Sequence, residues 1–308
     1  MKIPALRKTN MMIPTPGERL TSNPAVVFAF CFLVFFLSGT VQSLLLRAFA
    51  AILKKHMSYS VALLIQLFCT AALVGGVLLY CLLAEKRSLL SLGIVKRGAV
   101  AEYALGLVGG LLMFGGAVLL CFLSGTLSLQ ISKQPPSVGF LVLFLAGFLI
   151  QGMSEELLCR SFLMVSLSRS WSFRSCAILN ALFFSILHLG NSNVSVIALV
   201  NIFLFGLFAS FLTLRRGSIW MVGAVHSMWN FAQGNLFGIP VSGIRGTPSP
   251  LSSHLAEGTW QELINGGAFG LEGGLAVTLV LAVACAIALL MPTKTCEIAN
   301  SPSASETV

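Results

Sequence analysis

The sequence predicts an all-α protein, a polytopic transmembrane helical bundle of about eight spans. Three observations carry this. Hydrophobic residues make up 56% of the 308 residues, charged residues only 9%, and mean hydropathy is +0.93. A soluble surface needs far more charge than that. Eight apolar runs approach or exceed the roughly 20 residues that a helix needs to cross a bilayer. The connections between most runs are short and hold most of the Lys and Arg, the pattern by which membrane proteins set their orientation.

The runs can be taken in order. Residues 1–24, MKIPALRKTNMMIPTPGERLTSNP, are polar and basic and lack the short apolar core and cleavage site of a signal peptide. They read as a cytoplasmic tail, and the run at 25–46 as a retained first span. Runs at 60–84 and 100–124 complete an N-terminal set of helices that extends to residue 137. The third run contains Gly106, Gly109, Gly110, Gly115 and Gly116, and the Gly106/Gly110 spacing permits close approach of a neighbouring helix. Four more runs follow at 138–165, 174–189, 194–214 and 218–237; the first of these is long and charged, the second short.

Residues 238–270 form a long external loop containing Pro240, Pro248 and Pro250. It reads either as a lid or re-entrant piece or as a disordered connector. A last span at 271–291 closes the bundle, and residues 292–308 read as a disordered Ser- and Thr-rich tail without a prenylation motif. With the N-terminus inside, thirteen Lys and Arg fall on inner segments and five on outer ones. Both termini are therefore expected in the cytoplasm.

The net charge of +9 does not point to nucleic acid, because the basic residues sit where a topology signal would place them. There is no Asp. Seven of the eight cysteines lie in apolar runs, where Cys behaves as a small hydrophobe. No CxxC pair suggests a thiolate metal site or a disulfide framework.

Three runs carry polar groups that are costly in a bilayer unless they meet. The run at 138–165 contains Glu155, Glu156 and Arg160 in EELLCR, that at 174–189 contains Phe184 and His188 in FSILH, and that at 218–237 contains His226 and Asn230 in HSMWN. Residues four apart share a helix face. Glu156 and Arg160 can therefore pair, and pairing lowers the cost of both charges. Glu155 points about 100° away and is left for another task. His226 and Asn230 present one joint face, and Phe184 can wall the side of His188. A glutamate in a low-dielectric setting can serve as a general base near neutrality. Two imidazoles can bind a metal or act as donors to an oxyanion, and Asn adds a neutral amide donor. These are the parts for activating water against a carbonyl.

EELLCR, FSILH and HSMWN together resemble the three motifs of the CPBP family, the type II CAAX prenyl endopeptidase and bacteriocin-processing (Abi) family of intramembrane proteases, whose pattern is EExxxR, FxxxH and HxxxN or HxxxD. SLGIVKR at 91–97 is similar to the segment leading into the third span of bacterial members. The resemblance covers 138–237, which it marks as the protease core. It implies about eight helices around a polar intramembrane active-site cavity, and hydrolysis of peptide bonds in membrane-associated, prenylated or leader peptides.

The resemblance also implies site roles. Glu155 is the base, His188 its partner on water or metal, and His226 with Asn230 the oxyanion stabilisers; Glu156, Arg160 and Phe184 support them. Glu155, His188 and His226 are alternatively a zinc set, as the metalloprotease reading of the family requires, and a metal-independent mechanism stays open beside it. HExxH is absent. The expected partners are a peptide or membrane-protein substrate and the lipid bilayer, not nucleic acid, and the expected location is a bacterial cell membrane. Two other readings use the same Glu and His residues without proteolysis: a transporter with a proton or cation relay, and an immunity or scaffold protein.

Overall fold

A computed structural model describes residues 9–53 and 57–294. Lys2, Arg7, Lys8, Lys54, Lys55, Cys296 and all but the first residues of the expected C-terminal tail lie outside the described residues.

Eight apolar helical stretches follow the eight runs. They are α1 (Pro24–Leu53), α2 (Tyr59–Ala84), α3 (Ala99–Leu123), α4 (Val138–Leu167), α5 (Phe173–Leu187), α6 (Val196–Arg216), α7 (Trp220–Phe231, continued by a π-helical turn over Ala232–Leu236) and, after a short helix α8 (Thr259–Asn265), α9 (Leu275–Leu290). Five of them, α1, α2, α3, α4 and α6, are long and apolar enough to cross a membrane. α5 and α9 are apolar but shorter. α7 spends its residues on the interior, for nearly all of its side chains are buried.

The distribution of side chains is the reverse of a soluble protein. Phe36, Ile52, Leu83, Leu112 and Leu123 are 66–75% exposed, while Glu156, Arg160, Arg215 and Asn180 are fully buried. Apolar faces turned outward and polar groups turned inward suit a hydrocarbon surround, where every buried polar group must find its partner inside the protein.

Glycine fixes where α7 lies. A Cβ on Gly106 would come 2.3 Å from the Met221 carbonyl, and one on Gly110 would come 2.4 Å from that of Val225. On α4, a Cβ at Gly152 would strike Ser227 at 2.4 Å. α7 is thus packed directly on the backbones of α3 and α4, and the side chains that α7 presents to α4 are placed with little freedom. α5 packs on α6, and α6 on α9.

Two features lay outside the sequence expectations. Leu127–Ile131 (β1) pairs antiparallel with Leu251–Leu255 (β2), Leu127 opposite Leu255. The segment 238–270 is therefore not a disordered connector. It holds β2, α8 and a 3-10 turn, Gly267–Phe269, and is anchored by Asn265, which donates to the carbonyls of Thr126 and Ala256. The alternating LSLQI pattern of β1 was the available signal, but a five-residue strand between membrane runs is easily read as loop.

Residues 9–23 also pack rather than trail. Met11 and Met12 are buried, and Met11 lies against Gly93, which needs its φ of 72° for the turn inside SLGIVKR. Leu92 in that turn is fully buried and its carbonyl accepts a 2.6 Å bond from Ser161 of α4.

Candidate active site

α4 is not uniformly α-helical. Its α geometry ends at Glu156 and the backbone widens into π-helical turns over Leu157–Met164. Such insertions recur at functional sites because they re-aim side chains. Here the change falls inside the EELLCR motif, with Glu155 and Glu156 in the last α turn and Arg160 in the wider part. The helix of the third motif behaves alike, since α7 turns π-helical two residues after Asn230.

The fully buried Glu156 and Arg160 side chains meet, with Arg160 Nη1 3.0 Å from Glu156 Oε1. Arg160 Nη2 donates to the Gly206 carbonyl of α6 at 3.3 Å, and its guanidinium lies 4.7 Å from the centre of the Phe184 ring. Glu156 does a second job. Its Oε1 accepts from His226 Nδ1 at 2.8 Å. A carboxylate can only accept, so Nδ1 carries a proton and the other ring nitrogen, Nε2, is turned away from Glu156.

Glu155 stands on the neighbouring face. Its Oε2 lies 3.7 Å from His226 Nε2 and has no hydrogen-bond partner, although it is closed to solvent. The His226 imidazole is thus bracketed by the two glutamates of the motif, one at each nitrogen. Glu156 Oε2 is likewise closed to solvent without a hydrogen-bond partner, so what separates the two carboxylates is that Glu155 lines the interior cavity and Glu156 does not. The other Glu155 oxygen, Oε1, accepts from Gln151 Nε2 at 2.6 Å. Gln151 Oε1 in turn accepts from Asn230 Nδ2 at 3.0 Å.

Gln151 therefore joins the base candidate to the amide candidate, and its own orientation follows. Glu155, when ionised, takes only donors, so Gln151 must turn its amino group to Glu155 and its carbonyl to Asn230. Sequence reasoning missed Gln151. The signal was available, since it stands four residues before Glu155 on one helix face.

His188 ends α5, and its Nδ1 lies 2.8 Å from the Phe184 carbonyl. That carbonyl accepts, so Nδ1 donates, and Nε2 is left for another partner. His188 has no hydrogen bond to Glu155; the imidazole near Glu155 belongs to His226. Phe184 separates the two histidines and packs on both, its ring centre 4.8 Å from that of His188 and 5.9 Å from that of His226.

Glu155, Phe184, His188, His226 and Asn230 all line one cavity of about 350 Å³ with Gln151, while Glu156 and Arg160 stand behind it. The walls are chiefly aromatic and aliphatic, with polar groups set among them. Among the described residues, no three His, Cys or Glu side chains gather as a metal site would require, and Glu155, His188 and His226 do not form such a set. Cys159 is buried and, like the other described cysteines, free.

The fold and this geometry define a helical membrane protein with a Glu, His and Asn cluster opening on an interior cavity. The family model described as Type II CAAX prenyl endopeptidase Rce1-like matches residues 137–232, a segment that contains every one of these motif residues. That match covers about a third of the 308 residues and supports the resemblance of this segment to CAAX-type intramembrane proteases. No curated protein matches the chain.

Proposed function

We propose that the protein is an intramembrane endopeptidase that hydrolyses peptide bonds with a water activated by Glu155, its eight apolar helices spanning the membrane with both termini in the cytoplasm. The observation that carries the reading is the environment of Glu155: a carboxylate on the cavity wall, held at one oxygen by Gln151, unbonded at the other, and 3.7 Å from the His226 imidazole.

The steps use this chain's own groups. Glu155 takes a proton from water as its oxygen attacks the scissile carbonyl carbon. Negative charge then develops on the carbonyl oxygen. The Asn230 N–H not spent on Gln151 is a fixed donor for it, and His226 in its protonated form is a second. His188 Nε2, in the neutral form of the ring, accepts a hydrogen bond from the water and orients it. Glu155 finally delivers its proton to the leaving nitrogen, which restores the carboxylate. Glu156 and Arg160 hold the His226 ring and do not touch substrate. The zinc set offered by the resemblance is not gathered in this geometry, and no step here runs through a metal.

The test is Glu155→Gln in the full-length chain, reconstituted in lipid nanodiscs and compared with the parent on membrane-protein and prenylated-peptide substrates by mass spectrometry of new termini. Parent-specific cleavage that disappears in the variant supports the reading. Undiminished cleavage by a folded variant overturns it.

A further inference from the structure

The cavity has a second carboxylate, far in sequence from the motifs. Glu272 sits in the 3-10 turn Leu271–Gly273 just before α9 and lines the same cavity as Glu155. Its Oε2 accepts two bonds from one residue, the Ser242 backbone N–H and the Ser242 hydroxyl, both at 2.8 Å. Its Oε1 has no hydrogen bond or ion pair among the described residues and is not buried away from solvent.

The chain takes trouble to hold this group. Ser242 has a φ of 47°, in the left-handed region that costs a residue with a Cβ of order 1 kcal/mol or more. Its carbonyl accepts from Asn191 at 3.1 Å, and Asn191 follows His188 by one turn. Asn201 of α6, itself 1% exposed, donates to the Glu272 carbonyl at 2.8 Å and to the Gly274 carbonyl at 2.9 Å. Glu272 is therefore fixed through its side chain and its backbone, with one oxygen left over.

The charge balance of the cavity gives that oxygen a purpose. The whole chain is at +9, yet among the described residues no Lys or Arg lines the cavity, and Glu155 and Glu272 are its two carboxylates. The free oxygen of Glu272 is thus an acceptor on the cavity wall with no Lys or Arg beside it among the described lining residues. A metal ion needs several such donors together, and among the described residues no group of three His, Cys or Glu gathers. One free oxygen on a fixed carboxylate suits an ammonium or guanidinium group, whose N–H donors it accepts.

We propose that Glu272 is a specificity-determining residue that binds the side chain of a Lys or Arg in an otherwise apolar peptide substrate. This rests on the endopeptidase reading for the word substrate, but its test is a binding measurement that does not need hydrolysis.

The full-length chain carrying Glu155→Gln, in nanodiscs, is titrated with fluorescein-labelled apolar nonapeptides. The peptides differ at one scanned position, which holds Lys, acetyl-lysine, norleucine or Glu. At one register the Lys peptide is expected to bind about tenfold more tightly than the acetyl-lysine and norleucine peptides, the effect of one charge-assisted hydrogen bond. Glu272→Gln, which keeps an acceptor for Ser242, is expected to erase that difference, and Glu272→Lys to pass the preference to the Glu peptide. Glu257→Gln, an exposed carboxylate outside the cavity, controls for net charge.

Equal binding of Lys and acetyl-lysine peptides at every register overturns the proposal, as does a preference that survives Glu272→Gln, or no peptide binding at all. The acetyl-lysine comparison is made on the same protein, so a variant that fails to fold does not hide the answer. Cleavage of these peptides by the chain with Glu155 intact reports separately: a charge preference without cleavage counts against the endopeptidase reading alone, and cleavage without preference against Glu272 alone.

Discussion

Replacing Gln151 with Leu removes two bonds and keeps the volume of the side chain. One is the 2.6 Å bond to Glu155, and the other the 3.0 Å bond from Asn230. A hydrogen bond to a charged group contributes about 1.5–3 kcal/mol and a neutral one about 1. The two share a residue and do not add fully, so about 2–3 kcal/mol of positioning is at stake. At 1.36 kcal/mol per tenfold in rate, kcat should fall by roughly 30- to 150-fold. KM should change little, because Gln151 arranges the reacting groups and contributes little to the area that holds a peptide. The assay is steady-state cleavage of a quenched fluorescent peptide by nanodisc-embedded protein, with thermal unfolding recorded alongside. A Gln151→Leu variant that keeps its kcat, or loses affinity alone, would refute the argument that Gln151 joins base and amide.

Three further outcomes follow from the same geometry. Arg160→Met leaves Glu156 as an uncompensated buried charge and should cost about 3–5 kcal/mol of stability, read as a fall in unfolding temperature in detergent; adding Glu156→Gln should recover much of that loss. Gly110→Leu forces a side chain into the Val225 carbonyl of α7 and should destabilise by at least about 1–3 kcal/mol while lowering activity, because α7 carries His226 and Asn230. Purified active protein should hold less than one zinc per chain by elemental analysis and keep its activity through chelation and dialysis; loss on chelation with recovery on zinc would return Glu155, His188 and His226 to the role of ligands.

The positions of the helices were legible because each is an apolar run, and the period of the helix put Glu156 and Arg160 on one face. The three motifs were legible because so few ionisable residues stand in those runs. What could not be read was how the helices meet. That His226 faces both glutamates, while His188 turns its Nδ1 to its own helix, depends on the rotation of α7 against α4, which the contacts at Gly106, Gly110 and Gly152 set. The widening of α4 after Glu156 leaves no mark in a hydropathy pattern. Gln151 was overlooked as an ordinary polar residue, and Glu272 was assigned to the last apolar run, although the turn that holds it precedes α9. The ordered segment between α7 and α9 depends on pairing across more than a hundred residues, Leu127 with Leu255, a distance at which sequence pattern is silent.

The central claim is that Glu155, and not its neighbour, is the base. It is tested most directly by single-turnover cleavage with Glu155→Gln and Glu156→Gln measured side by side in folded, reconstituted protein. The account predicts no detectable product from Glu155→Gln and a slowed but measurable reaction from Glu156→Gln, whose loss loosens the His226 ring. Product from Glu155→Gln at the parent's rate, or the reverse order of the two variants, would contradict it.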